Sequence, residues 1–266
     1  MATEDQLVGA YSLPTCGKAL KLLNCRRGCT FGQRTQTDRF IMCGRFSLSA
    51  SRETIQDQLG PVQVGDNLRI NYNIAPTQPA YVITNDRPGQ LQYFIWGLLP
   101  FWSREPKVTG RLINARREGI ESKPSFRLPV RRRRCWVLAD SFYEWRKTDD
   151  RKIPYRIFPK DASLMIMAGI WDVWEGADRT LHTFSIVTCP PNREVAPLHD
   201  RMPVFFTEAR QRERWLEATE IEEILGLLQT PADGTLDMYP VSDKVNSVRN
   251  NAPELHEPIS DQLSLF

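Results

Sequence analysis

The chain has 266 residues, with 35 Lys and Arg against 32 Asp and Glu, a formal net charge of +3 and six cysteines. That length can bury a full core as one domain, or as one domain plus tails. A charge so close to balance excludes a general polyanion binder, so any nucleic-acid role must rest on where individual basic residues sit.

No apolar run approaches the roughly 20 residues of a bilayer span and no signal-peptide core opens the chain, which predicts a soluble, cytoplasmic protein. The cysteines at Cys16, Cys25, Cys29, Cys43, Cys135 and Cys189 form no CxxC pair, and the chain holds three histidines. Neither a zinc site nor a disulfide framework is expected, and no cofactor.

In chain order, residues 1–41 are of mixed polarity with little strand pattern and read as an extension outside the core. A helix is predicted over Arg52–Leu59, with Ser51 as N-cap and Gly60 as its stop. Dense aromatic and β-branched runs at 91–99, 135–139, 164–170, 183–188 and 203–207 predict strands. A further helix is expected over 207–217, continued or repeated at 221–228. After Pro253 the residues turn polar and predict a loose tail, 253–266, that ends in Gln262, Leu263, Ser264, Leu265 and Phe266. Together these elements predict a single α+β domain over 42–252, on a mainly antiparallel, curled sheet with a few flanking helices.

Four segments put reactive or anion-binding side chains beside turn or strand-end residues. They are Met42, Cys43, Gly44, Arg45 and Phe46; Ile113, Asn114, Ala115, Arg116, Arg117 and Glu118; Leu198, His199, Asp200, Arg201, Met202 and Pro203; and Phe142, Tyr143, Glu144 and Trp145. Glu144 sits among aromatic residues, where desolvation would raise a carboxyl pKa toward the range useful for proton transfer.

Those segments, with Asn73, Ile74, Ala75, Pro76 and Thr77, with Trp96 to Pro100, with Lys123 to Phe126 and with Ala168 to Trp171, closely resemble the SRAP family of abasic-site processing proteins, once called SOS response-associated peptidases. The resemblance runs from Met42 to about Asn251. It implies Cys43 as nucleophile, Asn114 as a hydrogen-bonding partner of the linkage, Glu144 as acid/base and His199 as a second proton carrier. It also implies that Arg116 and Arg201 hold DNA phosphates, that the partner is single-stranded DNA carrying abasic sites, and that the setting is replication and the SOS response. In the family pattern a glycine is expected where this chain has Ser141.

The chemistry of Cys43 can be argued without the family. An N-terminal α-amine, with pKa near 8 against about 10.4 for lysine, is roughly a few hundred times more neutral at pH 7 and can form an imine. The thiol of the same residue, easily deprotonated, then closes on the imine carbon as a five-membered thiazolidine. This requires a free amine, hence either translation from Met42 with removal of the methionine, or self-cleavage between Met42 and Cys43.

Single-stranded DNA grooves pair basic side chains with stacking faces. Arg45, Arg116 and Arg201 offer the first, and Trp96 and Trp145, with Phe101, Trp102 and Phe126 near the basic residues, offer the second. The run Arg131, Arg132, Arg133, Arg134 reads equally as a DNA contact or a solvated loop. Gln262, Leu263, Leu265 and Phe266 look like the pentapeptide that docks on a bacterial sliding clamp, with an apolar end folding back on the domain as the alternative. A monomer is expected. Competing functions are an N-terminal-nucleophile cysteine peptidase and a non-enzymatic DNA-binding clamp adaptor.

Overall fold

The computed structural model describes residues 43–105 and 107–259. The expected extension, 1–41, and the clamp-like pentapeptide lie outside the described residues.

Two sheets carry the fold. Strands β1 (Phe46–Leu48), β2 (Asn71–Ile74), β7 (Ser141–Lys147), β8 (Lys152–Pro159) and β13 (Leu236–Pro240) form an antiparallel sheet in the order β13-β8-β7-β1-β2. The second sheet contains β3 (Pro79–Thr84), β4 (Arg87–Trp96), β6 (Arg134–Ala139), β9 (Met165–Glu175) and β10 (Thr180–Cys189). It runs β10-β4-β3-β6-β9, and β9 pairs again with β10, so the five strands close into a ring. The expectation of a mainly antiparallel, curled sheet holds, with two parallel exceptions, where β10 meets β4 and where it meets residues 114–116. Short strands β11 (Met202–Pro203) and β12 (Phe205–Phe206) extend its edges. Strand β6 is buried at every position. One of its faces looks into the ring and Trp136 on the other bonds to Arg212, which is why its sequence is a continuous apolar run instead of an alternation.

The first helix, α1 (Arg52–Leu59), starts and stops as predicted. The Ser51 hydroxyl accepts from the Thr54 amide, and Gly60, at φ +81°, returns its own amide to Gln56. Two helices, α3 (Ala209–Glu217) and α4 (Ile221–Gly226), occupy the other predicted helical stretch.

Strand β5 (Asn114–Arg116) is what positions the site. Along one edge of β10, Thr183 and Phe184 pair with Ile95 and Trp96 of β4, and Ile186, Val187 and Thr188 then pair with Asn114, Ala115 and Arg116. The chain therefore leaves the sheet at Gly97 and rejoins the same edge at Asn114. Gly97 lies at φ +130°, where an added Cβ would stand 2.9 Å from Val108 Cγ1, so the departure requires glycine.

Three expectations are corrected. The arginine run is neither a loop nor a uniform contact surface: it ends helix α2 (Arg127–Arg132) and enters β6. Arg133 pairs with Asp172, and Arg134 is buried with its guanidinium on the carbonyls of Val130, Arg131, Trp215, Leu216 and Ala218. The tail does not begin at 253, because a 3-10 turn at Pro253–His256 buries Leu255 and the Ile259 amide bonds to Pro240. Trp96 is completely buried, edge-on to Phe46, with its indole N–H on the Ile113 carbonyl, and cannot stack on a base.

Candidate active site

Alternation along β1 and β7 sorts the site residues. The two strands pair Phe46 with Phe142 and Ser47 with Ser141, and the Tyr143 amide bonds to the Arg45 carbonyl. Phe46 and Phe142 face the main core, so Glu144 shares their side of the sheet. Tyr143 and Trp145 face the other way, into a smaller cluster with Val241, Val245 and Leu255. Arg45 goes with them: its Nη1 donates to Asn73 Oδ1 at 2.6 Å and to the Val245 carbonyl at 2.5 Å. The Trp145 indole donates to Asn246 Oδ1. Arg45 and Trp145 thus fasten the C-terminal segment on the face away from Glu144. Ser141, where glycine was expected, is buried and hydrogen-bonds Ser47 in ordinary register, so the strand's aim is kept.

Cys43 stands just before β1 with φ +42°, an unusual conformation for a residue with a side chain. It is 3% exposed. Its backbone N–H donates to Glu144 Oε1 at 2.7 Å, and its Sγ lies 3.8 Å from the Arg201 carbonyl. Glu144 is also 3% exposed. Burial pushes its pKa up, while His199 pulls in the opposite direction. Burial likewise holds the Cys43 thiol well above its usual range, with the facing Glu144 carboxylate adding to the effect. The expectation of an easily deprotonated thiol is therefore corrected: this sulfur keeps its proton until a base takes it.

Arg201 ties the other groups together. Its amide donates to His199 Nδ1 at 3.0 Å, which leaves the imidazole proton of a neutral ring on Nε2. Asp200 approaches the same nitrogen at 3.0 Å, but its side chain is largely in solvent, where water competes for it. The Arg201 guanidinium is buried, with both terminal nitrogens on Glu118 at 2.9 Å and one also on the Thr188 carbonyl. That pairing holds the Glu118 carboxyl below the usual range. A phosphate could reach Arg201 only by displacing Glu118. Arg116 is exposed at the end of β5, two residues beyond half-buried Asn114.

Sequence reasoning under-weighted the loop from Gly97 to Ile113. Phe101 and Trp102 at its tip are 50% and 54% exposed, an adjacent aromatic pair facing water. Their signal was their position after Pro100, outside the strand period. Phe126, by contrast, is core. Glu118 was visible only as the end of its segment and Asp172 carried no signal, since a carboxylate's partner is invisible until the strands are assembled.

A buried cysteine with its main-chain nitrogen against a buried carboxylate and an imidazole alongside define a cysteine-centred reactive site on an α+β, partly barrel-like fold. The family model described as SOS response associated peptidase (SRAP) matches residues 42–248, and the chain belongs to the SRAP family. It is 39% identical over 226 residues to the abasic site processing protein YoqW of Bacillus subtilis (strain 168), covering 81% of this chain and 99% of that one. It is 33% identical over 264 residues to the abasic site processing protein HMCES of Gallus gallus, covering 82% and 78%. A crystal structure of a protein from Bacteroides thetaiotaomicron superposes with a TM-score of 0.73 at 29% identity, covering 82% of this chain and all of that one. Among the described residues no helix is long and apolar enough to cross a membrane.

Proposed function

We propose that this chain processes abasic sites in single-stranded DNA by forming a covalent thiazolidine through Cys43, once Cys43 is the first residue. The observation that carries the reading is the 2.7 Å bond between the Cys43 nitrogen and Glu144 Oε1 in a water-poor site. In the chain as written that nitrogen is a peptide N–H, and in a chain maturing at Cys43 the same atom is an amine beside a carboxyl group.

Glu144, protonated more readily than an ordinary carboxylate, gives its proton to the ring oxygen of the abasic sugar as the ring C–O bond breaks and takes back the proton of the C1 hydroxyl, which leaves the open aldehyde. The amine attacks the aldehyde carbon, and water leaves to give the imine. The thiol then adds to the imine carbon, with its proton passing through Glu144 to the nitrogen, and the five-membered ring closes without any oxidant or reductant. A raised thiol pKa supports this order, because the amine acts first and the sulfur only once it is beside the imine. His199 Nε2 serves as second proton carrier, Asn114 holds the linkage, Arg116 meets a phosphate, and Phe101 and Trp102 stack on bases.

The test is to incubate protein beginning at Cys43 with uracil-excised single-stranded DNA. A species that survives denaturing electrophoresis, is absent with Cys43→Ala and forms slowly with Glu144→Gln is expected. Its persistence in the Cys43→Ala protein would sink the mechanism. Intact mass from the native source checks the start, since a working chain that retains residue 42 has no free amine on Cys43 to pair with its thiol. Cleavage of added peptides at Cys43 would instead favour the peptidase reading.

We also read Gln262, Leu263, Leu265 and Phe266 as a sliding-clamp anchor in a monomeric repair protein working at replication forks. Deleting Leu265 and Phe266 should abolish clamp pull-down and leave crosslinking untouched.

A further inference from the structure

Among the described residues two acidic residues are buried: Glu144, used above, and Asp172 on β9, 1% exposed and used in no step of the covalent chemistry. Burying a carboxylate costs several kcal/mol unless its partners repay it, so its partners identify its task.

Asp172 Oδ2 accepts from the Phe101 amide at 3.0 Å, and Oδ1 accepts from the Val173 amide at 2.9 Å and from Arg133. The same loop is caught on either side of that bond. The Leu99 amide donates to Thr183 Oγ1 at 2.8 Å, and the Trp174 indole N–H donates to the Ser103 carbonyl at 2.8 Å. Alternate residues 99, 101 and 103 are therefore pinned through their backbones by side chains of β9 and β10, while the Phe101 and Trp102 rings are left in solvent. A loop that presented two aromatic rings for no purpose would gain nothing from such fastening. A stacking face gains much, because side chains held in place before binding lose less entropy when a base arrives.

We propose that Asp172, supported by Arg133 and Trp174, is a positioning residue that holds the Phe101 and Trp102 rings as a pre-formed stacking face for the bases of single-stranded DNA. This rests on the reading of that tip as a DNA contact. Asp172 acts through the loop and touches neither sugar nor phosphate, so its loss weakens capture of DNA and spares the covalent step.

The experiment measures the Kd of an undamaged fluorescent single-stranded oligonucleotide by anisotropy and, separately, the crosslinking rate at saturating abasic oligonucleotide. It uses the matured protein and the variants Asp172→Asn, Trp174→Phe, Trp102→Ala and Asp172→Asn with Trp102→Ala. Asp172→Asn and Trp174→Phe should each raise Kd about threefold or more, part of the roughly 5- to 150-fold that a stacked base is worth. Their saturating rates should stay within about twofold of the parent, and Asp172→Asn should weaken binding less in the Trp102→Ala background than in the parent, because only Phe101 is then left to position. A parental Kd for folded Asp172→Asn, an effect that multiplies with Trp102→Ala, or a slowed saturating rate at unchanged Kd would each overturn the assignment. Should Asp172→Asn lose its cooperative melt, Trp174→Phe keeps an aromatic ring in place while removing the indole N–H that bonds Ser103, and it decides by the same criteria. A parental Kd for Trp102→Ala sinks the stacking face itself, whereas weak binding by Trp102→Ala beside parental binding by Asp172→Asn sinks only the role of Asp172.

Discussion

Two tryptophans six positions apart should behave in opposite ways when cut to alanine. Trp96 is fully buried, packs edge-on against Phe46 at 4.9 Å and donates to the Ile113 carbonyl. Its removal opens a cavity costing about 3–5 kcal/mol, and the stranded carbonyl adds about 1–3 kcal/mol. Against a total stability of about 5–15 kcal/mol, that change removes a large share of the folding free energy. It also loosens Phe46, which lies three residues from Cys43, and Ile113, next to Asn114. Trp102, 54% exposed, should change stability by no more than about 0.5 kcal/mol when truncated. Its loss should instead cost about 1–3 kcal/mol of single-stranded DNA affinity, roughly 5- to 150-fold in Kd. Urea denaturation and anisotropy at one fixed ionic strength read both quantities for both variants. A Trp102→Ala protein that unfolds early, or a Trp96→Ala protein with parental stability, would refute the division of labour between core and surface.

Glu144→Gln should slow crosslinking and stabilise the fold at alkaline pH. Burial raises the Glu144 pKa above its unfolded value of about 4.3, so its contribution is full below that value and is lost as pH rises through the folded pKa. Denaturant midpoints of the parent should therefore decline toward pH 8 relative to Glu144→Gln, and parallel curves would contradict a raised pKa. Arg116→Met should flatten the dependence of log Kd on log salt by about 0.7, the share of one phosphate contact on a single strand, measured by anisotropy across a salt series. An unchanged slope would remove Arg116 from the interface. Arg134→Met should lose about 4 kcal/mol or more in urea titrations, since five backbone carbonyls lose a buried charged donor, while Arg131→Met on the exposed side of α2 should change little.

Local chemistry made much of this protein legible in advance. The Ser51 cap and Gly60 stop bracket α1 because both act within a few residues of chain, and apolar runs became β6 and the buried stretches of β9 and β10 because burial on both faces leaves a continuous signature. The less apolar strands β2, β7, β8 and β13 escaped, since mixed polarity blurs the period of all four and β2 and β13 also lie at the sheet edges. Cys43, Glu144 and His199 were each visible as reactive types in unusual surroundings. What only the assembled structure decided is where side chains point and what holds them. Arg45 and Glu144 lie on opposite faces of one sheet, Arg201 grips Glu118, Trp96 is core while Trp102 is surface, and Asp172 fastens a loop 71 residues away in sequence. A residue's type sets the chemistry it can perform. Its partner comes from strand pairing across long stretches of chain, and no local pattern encodes that pairing.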